Sequence, residues 1–335
     1  MAKVMYLVKR IKNMNYTKMF EVAKKVSQKT NQNYMKVLMD IIGCGLKYQA
    51  GYHDYLEFEF YLLNKEERKT YLTRGINNAI IKKYNNKDSF YKFDDKIEFN
   101  KKFSPYLGRD WVYLREIKGD EFVSFLKKKK AIIVKPVDGE GGVGIEKINI
   151  NSKTDGKKLY RQLRKSNQVL VEEFIAQHPD MNGLYKNAVN TLRLFTFIKD
   201  GKVTYLQGIL KIGNGGVVDN FSSGGMYTFV NQNGKVIAPA IDKDDNVYEK
   251  HPKTKTDIVG FQVPMFKEAI KLVKEAAKEV PEIGYVGWDV AIGKEKPMII
   301  EGNCFPGVFQ LRPSFSKDKQ GILPKYQKVM DIKTK

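Results

Sequence analysis

"IIVKPVDGEGGVGIEKINI", residues 132–150, places four glycines between two apolar segments that have the character of β-strands. Gly139, Gly141 and Gly144 have the G-x-G-x-x-G spacing that often holds the phosphates of a dinucleotide. A Rossmann site needs a helix directly after the glycines, because the helix N-terminus binds the pyrophosphate. Here "VGIEKINI" (143–150) alternates as a strand does, so the Rossmann interpretation is excluded.

A Walker A loop is also excluded, since no Lys-Ser or Lys-Thr follows the last glycine. The remaining pattern is a strand, a glycine loop and a second strand, in which bare backbone N–H groups can fold over a triphosphate. Lys135 lies on the incoming strand, four residues before the first glycine, within reach of the same phosphates. A flexible hairpin tip beside an ordinary surface lysine explains the same residues, so the loop alone leaves both interpretations open.

The elements around this loop indicate an α+β fold with antiparallel sheets. Asp200-Gly201 joins two strand-like segments and is a strong hairpin signal. Two helices in the first 90 residues predict a small helical module, the first of them ending at Gly43. The predicted helices are 16–42, 64–84, 154–166 and 262–280, and the predicted strands include 168–175, 191–198, 202–212, 284–293 and 297–303.

Composition bounds the function further. The chain has 335 residues, of which 42% are hydrophobic, so it is long and apolar enough for two or three subdomains with cores. It lacks an apolar run of 18 residues, so no membrane-spanning helix is expected. Its two cysteines are distant in the chain, which fits a reducing cytoplasm. The net charge is +21, and residues 1–50 carry +8 of it. This excess indicates either a solvated lysine-rich surface or an anionic membrane or partner at the N-terminal module.

An acidic pair near the C-terminus indicates a metal site. If a three-residue turn lets Gly293 pair with Pro297, Asp289 falls opposite Glu301, and Asn303 shares the face of Glu301. Two opposed carboxylates in an apolar setting are costly without a cation. Carboxylate and amide oxygens suit Mg²⁺, which one or two carboxylates hold together with nucleotide phosphates. Exposed acids at a sheet edge remain the alternative.

Five ordered motifs across residues 90–310 resemble the ATP-grasp family: "DDKIEF", "IIVKP" with its glycine loop, "VEEFI", "NTLRLF" and "GWDVA…IIEGN". "FNKKFSPYLGRDW", "VDNFSSGG" and the N-terminal helices look most like the sugar-transfer-associated branch. The resemblance implies two α+β subdomains that grip ATP between antiparallel sheets. We therefore expect a basic helical module at 1–90 and an ATP-grasp domain at 91–335. Within that domain, a lid subdomain is expected at about 131–175 and a metal- and substrate-binding subdomain at about 176–335.

The resemblance also implies roles for individual residues. Arg193 and Lys211 would stabilise the transferring phosphoryl group, although Lys211 could equally be a lysine on the sheet surface. Asp289, Glu301 and Asn303 would hold Mg²⁺, or Mn²⁺. The implied ATP-binding residues are Lys96, Lys135, Gly139, Gly141, Gly142 and Gly144 at the phosphates, and Glu172, Glu173, Phe174 and Ile175 at the adenine hinge.

Substrate contacts are predicted on a glycine-rich loop. "NGGVVDNFSSGGMY" (214–227) resembles a mobile loop beside the acceptor, with Asn220, Ser222 and Ser223 as its polar contacts, or else a plain surface loop. His178 could contact ribose or substrate, although a lone histidine beside proline is more often structural. Cys304 adjoins Asn303, but no nearby base would activate it as a nucleophile, so a packing role is expected.

The leading function is an ATP-dependent carboxylate–amine ligase that forms an amide through an acyl phosphate and releases ADP and phosphate. Its substrates would be a small or sugar-linked carboxylate and amine, on a cell-surface sugar or peptide precursor. An ATP-grasp small-molecule or sugar kinase shares every nucleotide residue and stays open. A nucleic-acid-binding protein would explain the charge but not the ordered motifs. The expected location is cytoplasmic, with peripheral contact to the inner membrane surface or to a glycosyltransferase-pathway protein.

Overall fold

The computed structural model describes residues 15–137 and 143–332 of the chain. The chain divides into two compact units, the first formed by 1–80 with 307–335 and the second by 81–306. Among the described residues, none of the helices combines the length and the apolar character needed to cross a membrane.

The first unit is helical, as the sequence predicts, but its helix boundaries differ from the predicted ones. A break at Asn31–Asn33 divides the helix predicted over 16–42. Asn31 ends the first half in a left-handed conformation (φ 57°), and the Asn33 side chain accepts N–H groups of the second half. The second half does not end at Gly43. It continues to Tyr48, because Cys44 extends the buried face of the helix by another turn. The helices are α1 (Tyr16–Thr30), α2 (Tyr34–Tyr48), α3 (Tyr52–Glu57), α4 (Lys65–Lys69) and α5 (Arg74–Tyr84), which continues into the second unit, and near the C-terminus Leu323–Gln327.

The helix predicted over 64–84 is likewise two helices, α4 and α5. A capping box starts α4, in which Asn64 accepts the N–H groups of Glu66 and Glu67 while Glu67 accepts that of Asn64. The chain then leaves the helix and buries Tyr71 and Leu72 before α5 begins. The stabilisation gained by burying these two side chains outweighs the tendency to continue as one helix, which the apolar periodicity of the sequence predicts.

The second unit contains two antiparallel sheets, so the predicted α+β class with antiparallel sheets is confirmed. One sheet has the order β1-β4-β2-β3 and includes the strands on both sides of the glycine loop. The other has the order β11-β10-β5-β6-β7-β8-β9. The strands are β1 (Trp111–Tyr113), β2 (Ala131–Lys135), β3 (Glu146–Asn149), β4 (Leu170–Glu173), β5 (Thr191–Lys199), β6 (Lys202–Ile212), β7 (Met226–Val230), β8 (Ala240–Ile241), β9 (Val247–Tyr248), β10 (Tyr285–Ile292) and β11 (Pro297–Asn303).

Helices complete this unit and cover its sheets. Trp288 of β10 is fully buried between the sheet and the rings of Phe93 and Phe103, and its indole N–H donates to Thr196 Oγ1 at 2.8 Å. The helix predicted over 262–280 is shorter, because its last turn is a 3₁₀ turn. These helices are α6 (Tyr91–Asp94), α7 (Lys96–Lys102), α8 (Ser104–Leu107), α9 (Gly119–Leu126), α10 (Gly156–Lys165), α11 (Pro179–Leu184) and α12 (Phe266–Ala276).

The two predicted hairpins differ in how closely they follow expectation. At Asp200-Gly201 the prediction is confirmed, since Lys199 pairs with Lys202 and both turn residues have positive φ, as a two-residue hairpin requires. The β10–β11 turn is shifted by one residue, because Pro297 pairs with Ile292 instead of Gly293. A register shift between Asp289 and Val290 compensates for it. Asp289 therefore still lies opposite Glu301, as predicted.

Candidate active site

Three neighbouring strands bring two cations to one buried carboxylate. Arg193 of β5 pairs in register with Asp289 of β10, and its guanidinium forms two hydrogen bonds with the carboxylate, one of them 2.8 Å between Nη2 and Oδ2. Lys211 of β6 reaches the same carboxylate, with 3.1 Å between Nζ and Oδ2. Glu301 lies 4.0 Å from Arg193 Nη2. We call these four residues the open ion cluster.

Three members of this cluster, Arg193, Lys211 and Asp289, hold each other in the ionised state. Burial alone would raise the pKa of Asp289, but Arg193 and Lys211 outweigh it and hold that pKa well below its usual range. Burial alone would lower the pKa of Lys211, but Asp219 and Asp289 raise it above the ordinary value. Asp289 raises the pKa of Arg193 in the same way against the effect of burial. Two cationic side chains are therefore fixed side by side at one buried carboxylate.

Glu301 is the member of the cluster that meets solvent. About half of its side-chain surface, 53%, is exposed, whereas Asp289 is almost completely enclosed. Desolvation between the strands and the charge of Asp289 both raise the pKa of Glu301. Asn303 adjoins it, with 3.5 Å between Asn303 Nδ2 and Glu301 Oε1.

The donor set of Asp289, Glu301 and Asn303 contains only carboxylate and amide groups, which suits Mg²⁺. Within 15–137 and 143–332, no group of three Asp, Glu, His or Cys residues is placed to hold a metal. Glu301 is the accessible carboxylate of this set, with Asn303 beside it, whereas the oxygens of Asp289 accept hydrogen bonds from Arg193 and Lys211.

Asp219, for which the sequence patterns indicate no role, extends the open cluster. Its carboxylate accepts the backbone N–H of Thr191 at 2.9 Å and lies 3.6 Å from Lys211 Nζ. The next residue, Asn220, accepts a hydrogen bond from Lys211 at 3.3 Å. The predicted substrate loop is thus attached to the cation pair. Asn220 is brought to the cluster, and Ser222 and Ser223 follow it in a 3₁₀ turn.

A second buried carboxylate has the same kind of surroundings. Glu172 of β4 accepts two hydrogen bonds from Arg109, at 3.0 and 3.1 Å, and pairs with Lys135 of β2 at 2.6 Å. Arg109 also donates to the backbone carbonyls of Ile299 at 2.6 Å and Ile300 at 3.3 Å, the residues just before Glu301. We call Glu172, Arg109 and Lys135 the closed ion cluster.

Arg109 therefore links the predicted phosphate lysine to the strand that carries the predicted metal ligand. Sequence reasoning missed this residue, although it lies in the "GRDW" segment, because its partners are distant in the chain.

Residues 75–313 match the family described as sugar-transfer associated ATP-grasp. The chain belongs to this family. The ATP-grasp family assignment predicted from the sequence is confirmed.

Solved structures similar to the chain include D-alanyl-alanine synthetase A from Vibrio cholerae, at 12% identity and a TM-score of 0.39, covering 76% of this chain and 68% of that one. An L-amino acid ligase from Bacillus licheniformis has 15% identity and a TM-score of 0.37, covering 64% of this chain and 41% of that one. D-alanine–D-alanine ligase from Bacillus anthracis complexed with ATP has 16% identity and a TM-score of 0.38, covering 72% and 66%. No curated protein matches the chain significantly. The family assignment rests on the family match.

The other predicted phosphate-binding residues of this ATP-grasp chain lie beside the glycine loop. Lys96, the first residue of α7, donates to the carbonyl of Val137 at 2.8 Å, next to where the loop begins. Gly144 has a positive φ of 74° and packs against Pro136. The predictions for Gly139, Gly141 and Gly142 fall outside the described residues.

The predicted adenine hinge comprises the last two residues of β4 and the two residues that follow it. The N–H of Glu173 donates to Asp110 and that of Phe174 to Ala131, so both donors are used within the sheet. Ile175 packs against the β10–β11 hairpin through Ala291 and Met298. A base bound here would therefore form hydrogen bonds with backbone carbonyl groups or with the backbone of Ile175. The Glu172 side chain is engaged in the closed ion cluster.

His178 and Cys304 have structural contacts. The His178 side chain accepts the N–H of Asp180 at 3.2 Å and so caps α11, while its backbone N–H donates to Ile292. Cys304 is buried against Asp94, and burial together with this carboxylate raises the pKa of its thiol to about 12. A thiol with that pKa stays protonated at neutral pH, which agrees with the packing role.

Proposed function

We propose that this ATP-grasp chain is an ATP-dependent carboxylate–amine ligase that forms an amide and releases ADP and phosphate. The observation that carries the proposal is the open ion cluster. Two buried cationic donors, Arg193 and Lys211, share Asp289 beside the accessible carboxylate of Glu301. Cations fixed in this way suit a group that brings several negative charges, and a terminal phosphate is such a group.

The nucleotide would lie between the two clusters. Lys96 and Lys135 border the glycine loop, and Arg109 joins that region to β11 through the carbonyls of Ile299 and Ile300. A triphosphate bound by the lysines would therefore direct its terminal phosphate toward Glu301. Mg²⁺ or Mn²⁺ held by Glu301, Asn303 and Asp289 would neutralise charge on the phosphates.

The reaction would have two steps. A carboxylate oxygen of the first substrate attacks the γ-phosphorus while the bond to ADP breaks, giving an acyl phosphate. The amine of the second substrate then attacks the acyl carbon, phosphate leaves, and the nitrogen loses a proton. Arg193 and Lys211 stabilise the charge on the transferring group in the first step. Asn220 orients the substrate beside Lys211, as their 3.3 Å contact allows.

The substrates would be a carboxylate and an amine of which at least one is attached to a sugar or peptide precursor of the cell surface. The family description, sugar-transfer associated ATP-grasp, supports this class.

The test is mass spectrometry of both the nucleotide and the organic product after incubation with Mg²⁺, ATP and paired panels of sugar or peptide carboxylates and amines. The proposal expects an amide together with ADP, and ADP release that needs both substrates. A stable phosphorylated hydroxyl with ADP would identify the kinase alternative. AMP as the nucleotide product would overturn both. The Arg193→Ala variant is the control for contaminating activity.

A further inference from the structure

Helix α2 of the first unit exposes a continuous apolar stripe. Val37, Leu38, Ile41 and Cys44 are buried in the unit. On the opposite face, four large apolar side chains recur at helical spacing, over about 16 Å of helix axis. They are Met35, Met39, Ile42 and Leu46, with exposed fractions of 57, 61, 38 and 58%. A helix at the surface of a globular protein normally carries polar residues on that face.

The orientation of this apolar stripe is fixed by an ion pair on the side of the helix. Arg68 of α4 donates two 2.7 Å hydrogen bonds to Asp40, and the Tyr55 hydroxyl donates a third at the same distance. Rotating α2 to bury the stripe would break this network. A Cβ added at Gly43, on the same exposed face, would meet no atom within 4 Å, so the space beside the stripe is open.

The charges around the stripe select its partner. Residues 15–50 contain six lysines against Glu21 and Asp40, and Arg68 neutralises Asp40. Lys36 and Lys47 are exposed on α2 itself. A second copy of the chain carries the same excess positive charge, and residues 1–14 add only basic charged residues, so both would be repelled. An anionic surface with an apolar interior satisfies both features.

We propose that the apolar stripe inserts into the interface of an anionic phospholipid bilayer, with the surrounding lysines bound to the headgroups. Each lysine near such a surface strengthens binding about fivefold, and the stripe supplies the second, hydrophobic signal that stable peripheral attachment needs. Attachment would place the proposed ligase at a membrane surface. The binding itself does not depend on the proposed ligase activity.

Co-sedimentation of the full chain with vesicles tests the proposal. Wild-type protein is expected to bind phosphatidylglycerol vesicles, to be released progressively by NaCl, and not to bind phosphatidylcholine vesicles. The double variant Met39→Glu/Leu46→Glu is expected to bind at least about tenfold more weakly, because two buried apolar side chains are lost. Gly43→Glu should act in the same direction without a steric conflict. Ile237→Glu, which changes an exposed apolar residue of the second unit, is the matched control and should bind as the wild type does.

Three outcomes would overturn the proposal. The first is a failure of anionic vesicles to retain the wild-type protein at low salt. Equal vesicle binding by wild type and the double variant would assign the attraction to charge alone, for example to residues 1–14. A wild-type dimer in light scattering that the double variant converts to a monomer would assign the stripe to a second copy. Circular dichroism of each variant shows whether the helices are retained.

Discussion

The closed and open ion clusters are built from the same parts but differ in what encloses them. Each has a buried carboxylate held by a bidentate arginine and a lysine, Glu172 in one and Asp289 in the other. In the closed cluster, Arg109 also donates hydrogen bonds to backbone carbonyls. In the open cluster, Arg193 faces Glu301, which is half exposed. A fully enclosed network stabilises one arrangement of the chain, whereas an open one can exchange partners with a ligand.

The largest expected effect is on turnover, in the open cluster. Arg193→Ala should lower the rate of ADP formation about a thousandfold or more, because it removes a cation from the transferring phosphoryl group. Arg193→Lys, which keeps the charge but loses the bidentate geometry, should lie between this variant and the wild type. Arg115→Ala, which changes an exposed arginine that donates to the Asn167 side chain at 2.7 Å, is the matched control. Wild-type rates in both Arg193 variants would show that this arginine has no role in the reaction.

In the closed cluster the expected effect is on stability. Arg109→Leu leaves Glu172 with Lys135 and the amide of Asn100 and removes the donor to three backbone carbonyls, so the free energy of unfolding should fall by about 3–5 kcal/mol. Urea denaturation measures this loss. Arg193→Lys should cost less in the same experiment, because it keeps a positive charge beside Asp289. If Arg109→Leu unfolds at the wild-type urea concentration, the two clusters do not differ in the way we describe.

Glu301 should matter to catalysis and metal use more than to folding. Glu301→Gln keeps the size of the side chain but removes a carboxylate ligand, so turnover should fall about a hundredfold and more Mg²⁺ should be needed for half-maximal rate. Glu295→Gln, in the exposed turn of the same hairpin, controls for a general loss of negative charge. An unchanged Mg²⁺ requirement in Glu301→Gln would place the metal elsewhere.

The smallest effect is a pH dependence of the closed cluster. Burial raises the pKa of Glu172, but Arg109 and Lys135 outweigh it and hold this pKa below its ordinary value of 4.5. A lowered carboxyl pKa contributes stability that is present above the ordinary value and is lost as pH falls toward the folded-state pKa. Glu172→Gln should therefore be less stable than wild type at pH 7, and the gap in free energy of unfolding should narrow below about pH 4.5. A gap that stays constant over that range would contradict the ionised pair.

Sequence patterns predicted the parts of the molecule that depend on local rules. The backbone preference of Asp200-Gly201 is enough to predict its hairpin. Strand periodicity predicts that Asp289 lies opposite Glu301, and this pairing is kept because the shift of the turn is compensated by a register shift after Asp289. The break in the first helix was missed because the capping role of Asn33 competes with an uninterrupted apolar period. Long-range partners gave no local signal. Arg109 meets Glu172 and Ile299 only after both sheets have formed.

The most direct test of the central claim is a crystal structure with a non-hydrolysable ATP analogue and Mn²⁺, whose anomalous scattering locates the metal. The open cluster is predicted to hold the terminal phosphate, with Arg193 and Lys211 within hydrogen-bonding distance of its oxygens and Mn²⁺ beside Glu301 and Asn303. The closed cluster should keep its Arg109–Glu172 contacts unchanged. A triphosphate bound away from Arg193 and Lys211, or a metal away from Glu301, would contradict the account.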